Sequence, residues 1–286
     1  MPKNRFLKYV AGGFASIAIA SNVFFNVNCA STLQRPSSLE KKINQTPREK
    51  YAVLISAESE PRHVYNLNWA YQTLSELGYF DKNMYVFDDS SANSNIFIRY
   101  ALTTKKNILK LLNNLSKEID SNDIFFLYVT GHGYIEPNND DNLLSNNKIE
   151  DRISYIEMKF GEYLYSTELK EYLANIQPEV GICLFDQCHS GGFAELIGGE
   201  NYVAISACKK DESSQDNGFP IAFFTSFKKK LSSEIRIGDS NSDGRVSIYE
   251  AFIHAKVKDI YSLNGRYHPQ LKSILNSDKI FLDGKK

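Results

Sequence analysis

The sequence predicts an α/β fold, a doubly wound α/β/α sandwich with a mostly parallel sheet. Three observations lead there. Apolar runs at residues 51–56, 123–130 and 180–185 stop abruptly at polar or glycine-containing turns, as strands buried on both faces do. Between them lie stretches of helical period, with apolar residues at Val64, Leu67, Trp69, Ala70, Leu74 and Leu77, then at Ile108, Leu111, Leu112, Leu115 and Ile119. The links are short, and right-handed crossovers then set successive strands parallel.

The chain before the first strand has a different character. Lys3, Arg5 and Lys8 precede an uncharged stretch, 9–30, rich in Ala, Gly, Ile, Val and Phe. A positive start, an apolar middle and small residues near Cys29 and Ala30 describe an export signal over residues 1–30. The same stretch is nearly long enough for a membrane anchor, although Asn22, Asn26 and Asn28 weaken its far end. An exported protein is expected, periplasmic, secreted or membrane-anchored, touching a membrane only through that anchor. Residues 31–50 are polar, with Pro36 and Pro47, and read as a leader.

The first strand, 51–56, passes through the polar loop 57–61 into a helix that Gly78 closes. Residues 84–87 form a second strand and 88–95 a loop. Thr103 or Thr104 caps the next helix, and the third strand runs straight into Gly131-His132-Gly133. Segment 134–152 carries Asp140, Asp141, Glu150 and Asp151 among many Asn residues, and reads as a long polar loop, either a lid or an insertion. A helix from Ser166 or Thr167 through Leu173 and Ile176 delivers the chain to strand 180–185. A short helix, 193–197, a strand, 202–206, and an apolar helix, 220–231, follow.

Composition narrows the function classes. The chain has 286 residues, 42% hydrophobic and 23% charged, with a formal net charge of −1. That suits one or two globular domains with a substantial core. It argues against nucleic acid as a partner, since phosphate binding needs a concentrated basic surface. Beyond the export segment Cys183, Cys188 and Cys208 remain. An odd count of three is no disulfide framework, and Cys183, within an apolar strand, reads as a core residue.

Two turns carry the chemistry. Residues 181–192 read Gly-Ile-Cys-Leu-Phe-Asp-Gln-Cys-His-Ser-Gly-Gly, so Cys188 stands just beyond a buried strand. His132 has the same address on the strand before it. Chemistry in open α/β sheets sits beyond the carboxyl ends of the strands, and adjacent parallel strands would bring both side chains to one edge. A cysteine peptidase needs that arrangement, with Cys188 attacking an acyl carbon and His132 managing the protons. The amides of Gly133 and Cys188 could form an oxyanion hole. His189 competes for the role of base, but adjacent residues rarely present their side chains to each other.

Phe125-Phe-Leu-Tyr-Val-Thr-Gly-His-Gly133 followed by Leu184-Phe-Asp-Gln-Cys-His-Ser-Gly-Gly192 resembles the caspase-like (clan CD) cysteine peptidases over roughly residues 51 to 235. The Asp-x-Cys-His-Ser-Gly form looks like metacaspases. Arg62-His63 and Ser206-Ala-Cys-Lys-Lys-Asp-Glu-Ser-Ser214 look closer to the legumain (C13) family. The resemblance implies a Cys188/His132 dyad, with Arg62, Ser206, Glu212 and Ser213 lining the substrate pocket. It implies a peptide or protein substrate. Legumains carry an Asn in the first loop, whereas residues 57–60 offer Ala-Glu-Ser-Glu, which leaves the third, orienting residue open. Arg62 favours Asp or Asn at the P1 position, while Asp186, Asp211, Glu212 and Asp216 could instead select Arg or Lys, as metacaspases do. A catalytically silent relative that binds peptides or partners in the same cleft is the alternative.

A second motif follows. Asp239-Ser-Asn-Ser-Asp-Gly-Arg-Val-Ser-Ile-Tyr-Glu250 fits the EF-hand calcium loop. Asp239, Asn241 and Asp243 supply hard oxygens, Gly244 the sharp turn, Arg245 its carbonyl, Ser247 a direct or water-borne contact and Glu250 both carboxylate oxygens. One calcium ion is expected to staple the segment 236–286, a loop, a helix and a tail with His268-Pro-Gln-Leu271, onto a peptidase domain at 51–235.

Overall fold

The structure, a computed structural model, describes residues 47–88, 100–137, 149–215 and 218–284. The export segment, most of the leader, the middle of the acidic loop and Asp216 lie outside the described residues.

Six strands form the central sheet in the order β2-β1-β3-β7-β8-β9. β1 (Lys50–Ser56), β2 (Met84–Phe87), β3 (Ile124–Thr130), β7 (Val180–Asp186) and β8 (Tyr202–Ser206) pair in parallel. β9 (Gln270–Lys272) adds an antiparallel edge to β8. The central strands are apolar at nearly every position because both faces are covered. Alternate residues serve opposite layers. Leu54, Phe126, Leu184 and Ile205 pack towards α1 (Pro61–Glu76), α5 (Gly218–Ser226) and α6 (Ile248–Lys258). Val53, Leu127, Cys183 and Phe185 pack towards α2 (Lys105–Leu115), α3 (Ser166–Leu173) and α4 (Gly191–Ile197).

The local signals act as their chemistry dictates. Thr104, the second of the two expected caps, accepts a hydrogen bond from the Asn107 amide at 3.2 Å and starts α2. α4 begins at Gly191, two residues earlier than its apolar residues suggest. α5 stops at Ser226, well short of 231, where the chain turns back and Lys229 bridges Arg236. Asp259 divides the expected helix 249–261, because its carboxylate accepts from the Tyr261 amide and starts a separate short helix, α7 (Ile260–Leu263).

One element was not expected. β4 (Gly133–Ile135), β5 (Ser154–Met158) and β6 (Glu162–Tyr165) form a small antiparallel sheet. Ile156, Met158 and Leu164 face inward, while Tyr134 and Tyr155 stack at 5.5 Å on the other side. The polar segment after His132 thus begins as a strand, anchored by pairing of Gly133 with Ile156.

Residues beyond 235 belong to the same body as the strands, for Gln45–Lys286 is one compact unit. Val246, Ile248, Ala251, Phe252 and Leu282 enter the core layer of α1 and α5, with Phe252 edge-on to Phe219. No helix of the described residues is long and apolar enough to cross a membrane.

Candidate active site

Strand register builds the site. Ser56, Thr130 and Asp186 form one row across β1, β3 and β7. Two residues beyond that row on each strand stand Glu58, His132 and Cys188. Three turns of matched length therefore deliver a carboxylate, an imidazole and a thiol to one edge, where chemistry in such sheets collects.

The turns touch directly. A Cβ on Gly133 would collide with the Cys188 carbonyl oxygen and meet Gln187 Cγ at 2.6 Å, so only glycine lets the two backbones lie this close. His132, Cys188, Asp186, Arg62, His63 and Ser214 line one small recess. The Cys188 thiol is partly exposed and donates to the Ser214 carbonyl at 3.6 Å, while the Ser214 hydroxyl donates back to Sγ at 3.9 Å.

Glu58 lies in the first loop, 57–60, which lacks the legumain-like Asn. Its Oε1 accepts the His132 backbone N–H at 2.6 Å, and its Oε2 lies 3.4 Å from His132 Nε2. Glu60 Oε1 sits 3.5 Å from the same nitrogen. Two carboxylates thus flank Nε2. The signal that could have found Glu58 is its place two residues past the strand end, matching His132 and Cys188.

A buried network lies beneath. Pro61 opens α1, putting Arg62 and His63 in its first turn. His63 is 3% exposed, and its Nδ1 lies 2.6 Å from Thr130 Oγ1. The Thr130 hydroxyl donates to Asp186 Oδ2 at 3.1 Å, joined there by Asn66 Nδ2 and the Tyr128 hydroxyl, each at 3.2 Å. With its proton committed to Asp186, the threonine oxygen can only accept, so His63 carries its hydrogen on Nδ1. Burial pushes the His63 imidazole down to about 4, with the Arg62 charge adding to the effect. Burial also pushes the Asp186 carboxyl up to about 7, although its three donors pull the other way. The His63 and His132 rings meet edge-on, 6.1 Å between centroids.

Of the four expected pocket residues, Arg62 lines the recess and Ser206, Glu212 and Ser213 do not. Arg62 reaches the recess, with its Nε donating to Glu60 Oε2 at 2.9 Å. Ser206 is fully buried at the end of β8, paired with Phe185 and Gln270. Ser213 is exposed and outside the recess, whose lining takes Ser214 instead. Glu212 turns to the C-terminal tail and accepts from the His268 amide at 2.7 Å, with His268 Nδ1 at 2.6 Å. His189 faces away, its Nδ1 2.8 Å from the Lys210 carbonyl. Cys208 is buried between Ser190 and Glu212, and burial pushes its thiol up to about 12.

The loop 239–250 is closed by its own hydrogen bonds. Asp239 accepts the amides of Asp243 and Gly244 at 3.2 and 3.0 Å, and Gly244 adopts φ +87°. Glu250 Oε1 accepts from Ser240 and Asn241, and its Oε2 from Ser247, which returns a hydrogen bond as a capping box. Burial raises the Glu250 carboxyl, but those hydrogen bonds outweigh it and hold the group below its usual range. The Asp243 and Asn241 side chains stay exposed beside this frame, and Arg245 Nη2 donates to Asp283 at 3.0 Å. An all-oxygen donor set with the glycine turn in place fits a calcium ion.

The family model described as "Metacaspase, peptidase C14 domain" matches residues 64–197. Metacaspase-1B of Aspergillus fumigatus is 27% identical over 121 residues, 42% of this chain and 28% of that protein. Metacaspase-1 of Emericella nidulans is 26% identical over the same shares. The chain spans little more than a quarter of the length of these relatives. Among solved structures, protein GSU0716 from Geobacter sulfurreducens aligns over 82% of this chain and 97% of its own, with TM-score 0.52 and 14% identity, a likeness of fold. Both strand-end turns fall inside the matched stretch, and it is there that the chain is similar to the caspase-like metacaspase peptidases.

Proposed function

We propose that the chain is a cysteine endopeptidase in which Cys188 is the nucleophile and His132 the acid and base. The alignment of Glu58, His132 and Cys188 two residues beyond one strand row carries this reading. His132 Nδ1 takes the thiol proton and the thiolate attacks the substrate carbonyl carbon. Negative charge develops on the carbonyl oxygen, where the amides of Gly133 and Cys188 stabilise it. As the C–N bond breaks, His132 returns the proton to the leaving amine. Water then hydrolyses the acyl-enzyme by the same route. Glu58 steadies the imidazolium through Nε2 at 3.4 Å, the part that a third residue plays in such triads.

The recess offers both a guanidinium, Arg62, and a carboxyl, Asp186. A neutral amide complements that pair, with its oxygen accepting from one and its NH2 donating to the other. Within the Asp or Asn class, Asn at P1 fits best, since Glu60 already neutralises part of the Arg62 charge. Arg62-His63 and the 206–214 stretch, which resemble legumains, both lie outside residues 64–197. Arg or Lys, the class that metacaspases select, is the competitor.

Calcium is proposed as a structural ion, held by Asp239, Asn241, Asp243, Ser247, Glu250 and the Arg245 carbonyl. When bound it supplies a multivalent cross-link between the two ends of the loop. Export rests on the basic and apolar character of residues 1–30, and fractionation of a cell expressing the full chain tests it.

The deciding experiment uses peptides with Asn, Asp, Arg or Lys at P1 on the wild type and on Cys188→Ala. Cleavage after Asn by the wild type alone is expected. Cleavage after Arg or Lys alone would overturn the P1 assignment. Equal background from both proteins would overturn the enzyme and favour a silent peptide-binding relative.

A further inference from the structure

The edge that holds His132 also gathers a second constellation. Glu58, Glu60 and His63 each bring one ligand atom to within 4.8 Å of the others. Two carboxylates alone would say little, since acidic pairs are common at surfaces. His63 changes that. Its ring is 3% exposed and its Nδ1 hydrogen is spent on Thr130. Its other nitrogen, Nε2, carries a lone pair, is buried, and has no hydrogen-bond partner among the described residues. That atom faces the carboxylates, 4.0 Å from Glu60 Oε2.

A buried imidazole acceptor without a donor is uncommon, and metal-bound histidines show this pattern, one nitrogen fixed by an outer hydrogen bond and the other bare. The fourth corner is already supplied. His132 Nε2 lies 3.4 Å from Glu58 Oε2 and 3.5 Å from Glu60 Oε1. Nitrogen and oxygen ligands of this number suit Zn²⁺, whose tetrahedral shell places ligand atoms roughly 3.3 Å apart. Glu60, half exposed, can close the remaining gap by rotating away from Arg62.

We propose that Glu58, Glu60 and His63 form a Zn²⁺ site beside His132, and that Zn²⁺ bound there silences the peptidase by taking the carboxylates, and His132 Nε2 with them. The coupling rests on the peptidase reading above, whereas the site itself does not. Asp186, one hydroxyl away through Thr130, stays outside the cluster and keeps the His63 ring in place.

Calorimetric titration of zinc chloride into the full-length Cys188→Ala protein, with calcium in excess to occupy the 239–250 loop, tests the site. One Zn²⁺ per chain is expected, weakened roughly tenfold or more by His63→Gln and by Glu60→Gln. Glu60 is a surface residue, so its variant remains informative should the buried substitution at 63 disturb folding. Unchanged affinity in Glu60→Gln, or loss of all binding on removal of the Cys188 thiol, would overturn the site. In the active protein, Glu60→Gln should shift the zinc concentration for half inhibition upward by a similar factor. Inhibition insensitive to that change would overturn the coupling. A wild type with no peptidase activity but intact, His63-dependent zinc binding would defeat the proposed function and leave the zinc site standing.

Discussion

Glu58 grips His132 at two points, accepting its backbone N–H at 2.6 Å and facing its Nε2 at 3.4 Å. The first contact fixes the turn and the second fixes the ring. Substitution can separate them. Glu58→Gln keeps an oxygen for the backbone N–H but loses the charge that steadies an imidazolium. An interaction made chiefly in the transition state lowers kcat and kcat/KM together. For Glu58→Gln a fall in kcat of at least about tenfold, with KM little changed, is expected, within what a general base's setting supplies. Steady-state kinetics on a P1-Asn peptide provides the check, and a rise in KM at constant kcat would count against the role.

Gly133 is where the His132 and Cys188 turns come into contact. Any side chain there runs into the Cys188 carbonyl and Gln187. Gly133→Ala must push the turns apart, at a cost of roughly 1–3 kcal/mol for an overpacked site. It must also move an amide assigned to the oxyanion hole. Urea denaturation should show the lost stability, and activity should drop far more than the fraction unfolded explains. Gly161→Ala, where a Cβ meets nothing within 4 Å, serves as the control, although its positive φ of 70° adds some strain.

These relationships were unequally legible in the sequence. Strands 84–87 and 202–206 and the cap at Thr104 follow from local patterns, because burial on both faces leaves an unbroken apolar run and a cap is a single residue type. Gly131-His132-Gly133 and the Cys188 turn were visible for the same reason, each standing at the end of such a run. β5 and β6 were not, since four or five residues with Tyr and Glu alternating on the outer side look like loop. Glu58 was hidden more deeply. Its partner is 74 residues away, and only the register of β1 against β3 brings them together. Glu212 shows the converse, a residue in a family-like motif whose carboxylate is committed to the tail at His268.

Asp186 makes stability depend on pH. Its folded value is raised to about 7 from an ordinary 3.8, burial being the main cause. A raised carboxyl stabilises the fold while it is protonated. That contribution is complete below the unfolded value near 3.8 and is lost as pH rises through about 7. The wild type should therefore lose up to about 1.4 kcal/mol per pH unit relative to Asp186→Asn across this window. Asn can accept the same donors from Asn66, Tyr128 and Thr130 and carries no charge. Comparing the two proteins removes most of the opposing effect of His63, whose lowered value weakens the fold as pH drops from 6.5 towards about 4. Parallel denaturation curves from pH 4 to pH 7 would refute the assignment.

The loop 239–250 poses the last question, because it is already wound by its own hydrogen bonds. Glu250 alone accepts from Ser240, Asn241 and Ser247. Its helix, α6, carries Ala251, Phe252 and Ala255 into the layer shared with Phe219 and Phe223, so anything that tightens the loop steadies a central part of the core. Calcium at a hundred times its dissociation constant adds about 2.7 kcal/mol, which for a domain of this size raises Tm by roughly 5–10 °C. Glu250→Gln should remove most of that rise. It should also lower Tm without calcium, since one amide oxygen cannot serve donors that now use two. The two effects are separable by calorimetry with calcium and with chelator. A variant that loses stability in chelator yet keeps the full calcium shift would show that Glu250 holds the helix start and not the ion. A wild type whose Tm ignores calcium would show that the hydrogen bonds are the whole staple.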